Sequence, residues 1–191
     1  MAARRLGSLQ SATRLLILEA AQALMLAEGY AAVSARRVAA QAGIKPALVQ
    51  YYFSSMDELL LETYRHGAAR MLERQQEALA SARPLHALWA LAIDPERAAL
   101  GIEFMALANH RKAIGAEITR QATHGRKLQA EALAALLRDA PAWRAPEGVS
   151  VILAGIARAL VMEQGIGMEF GHQEARAIVE CWLALAEPEE A

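Results

Sequence analysis

Apolar residues along this chain recur every three or four positions, in segments separated by short runs of Gly, Pro, Ser and Asp, and that spacing predicts helices throughout. A first helix, N-capped by Ser11, runs to Glu28 and is expected to bury Leu15, Leu16, Ala20, Ala23, Leu24 and Ala27. A short pattern of Val38, Ala39 and Ala42 stops at Gly43, a residue free to adopt the left-handed conformation of a tight turn, and a new helix starts within two residues. Pro46 suits the first turn of that helix, since its missing N–H is an orphan there anyway. Leu48, Val49, Tyr52 and Phe53 define its inward face, leaving Lys45, Ala47, Gln50 and Tyr51 outward. Ser55 and Glu58 have the spacing of a capping box and open a long helix to about Ala80. Further helices are expected from Pro84 to Ile93, from Asp94-Pro95 to about Asn109 and from Ala113 to Asp139, with a break over Pro141 to Pro146. Two more run from about Glu147 to Gly165 and from His172 to Ala186.

Two short helices joined at a glycine form a helix-turn-helix, and the outward set on the second is a cation, a methyl, an amide and a phenol. Such groups bind phosphates and base edges, and Arg36 and Arg37 precede them on the first helix of the pair. Composition supports an all-α chain, with 55% hydrophobic residues but only 5% aromatic in 191. The net charge of −1 conceals a gradient: through Phe53 there are six Lys and Arg against two acids, and after it 14 against 19. A basic end and an acidic body are expected where one end alone meets a polyanion. Arg4 and Arg5 lie in a loose N-terminal arm. The single Cys181, read as a buried small hydrophobe, excludes an internal disulfide framework and suits a reducing cytoplasm. No secretory signal and no uncharged run of eighteen apolar residues is seen, so a cytoplasmic protein with no membrane partner is expected.

Residues 13 to 60 resemble the DNA-binding domain of the TetR/AcrR family of transcriptional repressors. The likeness rests on Glu28, Gly29 and Tyr30 at the end of the first helix, then Val38, Ala39, Ala42, Gly43 and Ile44, and the closing Tyr51, Tyr52 and Phe53. Two positions depart from the pattern. Lys45 stands where Ser or Thr usually caps the recognition helix, and Met56 stands where Lys usually meets phosphate. The resemblance implies a three-helix helix-turn-helix DNA-binding domain, residues 1–55, followed by a helical ligand-binding and dimerisation domain, residues 56–191. It places the Tyr51 position on the phosphate backbone, and a four-helix bundle across a two-fold axis at the last two helices.

In the second half the informative positions are polar groups in apolar runs. Glu103 lies between Ile102 and Phe104, and a carboxylate there needs either a cavity or a partner such as Arg70 or Arg74. Trp89, Glu103, Phe104, Met105, Asn109 and Met162 are the candidate ligand-binding residues. Ile152, Ile156, Ile178, Trp182 and Leu185 are the candidates for the dimer interface. No nucleophile elbow, phosphate-cradling Gly loop or close His/Cys/carboxylate grouping occurs, so neither catalysis, a metal nor a cofactor is expected. The expectation is a homodimeric regulator, a repressor, that binds a palindromic double-stranded DNA operator and is released by a small-molecule inducer of unknown identity. The alternatives are a DNA-binding dimer with no inducer and an all-α enzyme whose helix-turn-helix is incidental.

Overall fold

A computed structural model of the protein describes residues 12–136 and 145–187. Within them all regular structure is helical. The α-helices are α1 (Ala12–Glu28), α2 (Ala35–Gln41), α3 (Pro46–Tyr52), α4 (Met56–Leu79), α5 (Pro84–Ala92), α6 (Pro95–His110), α7 (Lys112–Leu136), α8 (Pro146–Gly165) and α9 (His172–Ala186), with a 3-10 turn at Tyr30–Ala32. The expected caps at Ser11 and the break starting at Pro141, like Arg4 and Arg5, lie outside the described residues. The chain divides into two compact units, Met1–Ala69 with Glu103–Ile118, and Arg70–Ile102 with Thr119–Ala191.

Local chemistry accounts for the boundaries. Ser34 caps α2 by accepting from the Arg37 N–H, and α2 ends where Gly43 adopts φ 66°. The Ile44 N–H then returns to the Ala39 carbonyl at 2.9 Å, closing the turn. Lys45 occupies the N-cap of α3 without a side-chain cap, and Pro46 fills the first helical position. At α4, Ser55 Oγ accepts from the Glu58 N–H at 3.1 Å. The Glu58 carboxylate reaches back one residue further than a standard capping box, to the Ser54 N–H at 2.7 Å and its hydroxyl at 2.6 Å.

The first unit packs around Ile17, Leu18, Ala20, Ala21 and Leu24 of α1, Val38 and Ala39 of α2, Val49 and Phe53 at α3, and Leu59 of α4. This corrects the expected face of α1. Leu15 and Leu16 are each 41% exposed, and Ala23 and Ala27 also face outward. The helix is apolar on nearly every side, so a three-four spacing can be drawn through several stripes, and only the position of α2 and α3 selects one. Leu48 on α3 is likewise exposed instead of buried, because Val49 and Phe53, four apart, already fill the contact.

In the second unit Leu85, Leu88 and Trp89 of α5 pack with Leu133 of α7, Val149, Leu153, Ala157 and Leu160 of α8, and Val179 and Leu183 of α9. Glu187, just past α9, caps α5: its carboxylate accepts from the backbone N–H groups of Leu85 (2.5 Å) and His86 (3.2 Å). α8 has the length and composition of a membrane span. Arg158 and Glu163 nonetheless punctuate it, and its buried stripe belongs to this core. It therefore has two apolar faces, one buried and one not. Cys181, expected inside, is exposed on α9.

Gly43→Ala tests the turn. No neighbour lies near enough to clash with an added Cβ, so the cost is that of φ alone. A loss of about 1–2 kcal/mol of unfolding free energy in denaturant melts is expected.

Candidate nucleic-acid interface

The outward face of α3 is set by what α3 buries. Val49 and Phe53 are 2% and 3% exposed, and with both directed inward, Lys45, Ala47, Gln50 and Tyr51 are left exposed. Tyr51 meets Tyr52 edge to face, centroids 5.3 Å apart, which limits the orientations open to its phenol. Lys45 meets no carboxylate among the described residues, so its ammonium is available. Leu48 adds an apolar contact to the same exposed surface, of a kind that suits a thymine methyl. Sequence reasoning missed it by assigning it inward; the only signal was its place immediately before Val49.

Arg36 and Arg37, adjacent on α2, differ in their surroundings. Both are exposed, but the Arg37 guanidinium donates to the Glu28 carboxylate, while Arg36 meets no acid among the described residues. Arg36 therefore contributes its full charge to the surface, and Arg37 a partly neutralised one.

A network of charges holds the supporting helices of this unit. Glu62 on α4 accepts from Arg14 of α1 and from Arg65, and Arg65 also donates to Glu117 at the start of α7, Nε to Oε1 3.0 Å. Arg14 additionally lies over the Phe53 ring, 5.2 Å from its centroid. Burial opposes ionisation of Glu62, but the hydrogen bonds from Arg65 and Arg14 outweigh it and hold the carboxyl below its ordinary value. The bond to Glu117, then that to Glu62, raises Arg65 in turn. Asp57 and Arg111 form a further exposed pair at 2.7 Å. Both line an open cleft of about 500 Å³ together with Glu62, Arg65, His110 and Lys112.

Glu103 meets neither expected partner. Its carboxylate accepts from the backbone N–H of Tyr30 at 2.7 Å and lies against Gly29, where an added Cβ would come within 3.3 Å of Oε2. The ring of Tyr30 is 6.5 Å from that of His110, also on α6. Phe104 is buried against Tyr64, centroids 5.1 Å apart, whereas Met105 and Asn109 are exposed. These four lie in the first unit, and Trp89 and Met162 in the second. None of the six lines the cleft. Trp89 is 2% exposed and its indole N–H meets no acceptor among the described residues. Of the proposed interface residues Ile152, Ile178, Trp182 and Leu185 are exposed and Ile156 is half-buried.

The helix-turn-helix geometry agrees with the sequence family that it matches. Residues 17–63 match the model of the bacterial regulatory proteins, tetR family. That segment, about a quarter of the chain, is similar to the DNA-binding domain of this family. The helix-turn-helix lies toward the N-terminus and further helices follow it. TetR-family regulators bind DNA and usually dimerise.

Solved structures share the whole fold at low identity. A regulator from Rhodococcus sp. assigned to the TetR family is 20% identical, with a TM-score of 0.75 over 93% of this chain and 100% of that one. A protein from Saccharomonospora viridis assigned as a transcriptional regulator, in complex with choline, is 20% identical, with a TM-score of 0.75 over 90% and 97%. The multidrug binding protein EbrR, complexed with imidazole, is 22% identical, with a TM-score of 0.60 over 95% and 98%. No curated protein matches the chain in sequence.

Because the folded-state pKa of Glu62 is depressed, its contribution to stability is present above its unfolded value of about 4.3 and is lost as pH falls through the folded one. Glu62→Gln is expected to cost about 1–2 kcal/mol at pH 7, with the difference from wild type closing in paired urea melts as pH falls through the lowered pKa of Glu62.

Proposed function

We propose that this protein is a TetR-family transcriptional regulator, a homodimeric, cytoplasmic repressor that binds a palindromic operator and is released by a small molecule. The observation that carries the DNA reading is the face of α3: Lys45, Ala47, Gln50 and Tyr51 exposed together on a helix anchored by Val49 and Phe53. In this reading Lys45 and Tyr51, with Arg36 and Arg37 behind them, contact phosphates, and Gln50 reads a base. Residues 1–55 serve DNA binding and 56–191 serve ligand binding and dimerisation.

Two observations support the second half of the proposal. α8 and α9 each bury one apolar stripe in their own core and leave another in solvent, with Trp182 41% and Leu185 76% exposed. A dimer across these faces covers them, with Ile152, Ile156 and Ile178 beside Trp182. The orphaned Trp89 N–H supports a ligand site, because a buried donor without an acceptor costs about 1–3 kcal/mol that a ligand oxygen would recover. The choline and the imidazole bound in two solved structures similar to this chain support that reading. The burial of Phe104 against Tyr64 instead favours the reading without an inducer, in which that part of α6 is plain core. On that account Glu103, tied to the Tyr30 N–H, is a structural latch and only Met105, Asn109 and Met162 remain open to a ligand.

DNA fragments selected from the source genome supply the operator for the decisive test. Lys45→Ala is expected to weaken binding to all fragments and to reduce the slope of log K against log salt by about two, one phosphate contact per protomer. An unchanged slope removes Lys45 from the interface. Gln50→Ala is expected instead to relax preference at one position per half-site, by about 1–3 kcal/mol.

Trp182→Ala tests the dimer. Sedimentation equilibrium should show association weakened by at least about 2 kcal/mol, with loss of cooperative operator binding. A wild-type monomer at micromolar concentration, or an undiminished dimer in the variant, places the interface elsewhere.

A further inference from the structure

We propose that Arg70 and Arg74 of α4 and Arg97 of α6 form a binding site for the carboxylate or phosphate head of a small organic anion. All three lie in the same compact unit. The Arg97 side chain is only 20% exposed, so its stem and part of its guanidinium are shielded from water. Its compensation is small. Nε stands 3.4 Å from Asp94 Oδ2, and NH1 is directed at the Met71 thioether, a weak acceptor, at 2.9 Å. The Asp94 carboxylate is also shared, since it accepts from the Arg97 backbone N–H at 3.3 Å. A guanidinium presents five N–H donors in a planar fork, and most of this one meets no acceptor among the described residues.

The surroundings add positive charge instead of cancelling it. Arg70 and Arg74 flank Met71 on α4 at a spacing that puts them on one face, both are exposed, and neither meets a carboxylate among the described residues. Burial, and then repulsion from Arg74, push Arg97 down from its ordinary value; Asp94 opposes this and Arg70 adds to it. The Arg97 guanidinium thus meets Met71, which Arg70 and Arg74 flank along α4, with one acid beside it. A carboxylate or phosphate has the complementary planar or tetrahedral oxygens for bidentate pairing. The recessed position of Arg97 suits a compact head group, and the Met71 side chain supplies an apolar neighbour for what the head carries.

As the assignment of a ligand class this rests on the ligand-responsive reading, but the binding itself is measured without DNA, so the two can fail separately. Isothermal titration calorimetry of the full chain would use octyl phosphate, octanoate, inorganic phosphate and octanol. Saturable binding of an anion is expected, weakened about tenfold or more by Arg97→Gln and by the exposed Arg74→Gln. Arg126→Gln, an exposed cation on α7, should leave it unchanged. Equal affinity for inorganic phosphate assigns a free anion, and preference for octyl phosphate or octanoate assigns an amphipathic one. Octanol binding as tightly as either anion, equal weakening by Arg126→Gln, or no saturable heat with any of the anions overturns the site.

Discussion

The position of α3 depends on a small apolar contact, Val49 and Phe53 set against Ile17, Leu24 and Val38. A seven-residue helix has too few internal hydrogen bonds to be stable alone, so its existence and its orientation both come from this burial. Everything exposed on α3 is outward because those two side chains are inward. Removing either would lose the geometry of the whole surface along with its stability.

The charges of the same unit extend that constraint to the neighbouring helices. Glu62 draws Arg14 and Arg65 together, Arg65 reaches Glu117, and Arg14 stacks over Phe53, so the network borders the core that holds α3. The Arg14–Glu62 pair is mostly shielded, and a partly buried carboxylate with two guanidinium donors is less screened by salt than a surface pair. Glu103 adds a polar contact of another kind. By accepting the Tyr30 N–H it satisfies a backbone donor beside the end of α1, and the glycine before Tyr30 leaves room for the carboxylate. That contact joins α6 to the turn that leads into α2, within the unit that carries the proposed DNA face.

The second unit is organised differently. Its core is aliphatic around Trp89, and some of its polar contacts lie at helix ends, with Glu187 capping α5 and Glu163 meeting His172 at 2.8 Å. Charged groups there are left less evenly matched. Arg97 has one imperfect acid and two arginines for neighbours, and Trp89 keeps a donor without an acceptor among the described residues. Both are costs that a helical scaffold retains only where packing elsewhere outweighs them.

The helices, their ends and the helix-turn-helix were legible in the sequence because the signals are local. Gly43, Pro46, Ser55 with Glu58, and Asp94 with Pro95 act on backbone groups within a few residues of themselves. The outward set on α3 was legible for a similar reason, since a helix with two strong apolar anchors has only one outside. Which stripe of α1 is buried was not legible, because alanine and leucine cover most of its surface and hydrophobicity then distinguishes no face. Leu48 and Cys181 were misplaced on the same ground: apolar character states a preference for burial, and a partner of the right shape must exist to fulfil it. The distant partners of Glu62, Glu103 and Arg97 were decided by tertiary structure alone. Beside the local pairs Glu62–Arg65 and Asp94–Arg97, the contacts with Arg14, the Tyr30 N–H and Met71 join different elements, up to 73 positions apart, and their energy depends on a distance that no local pattern encodes.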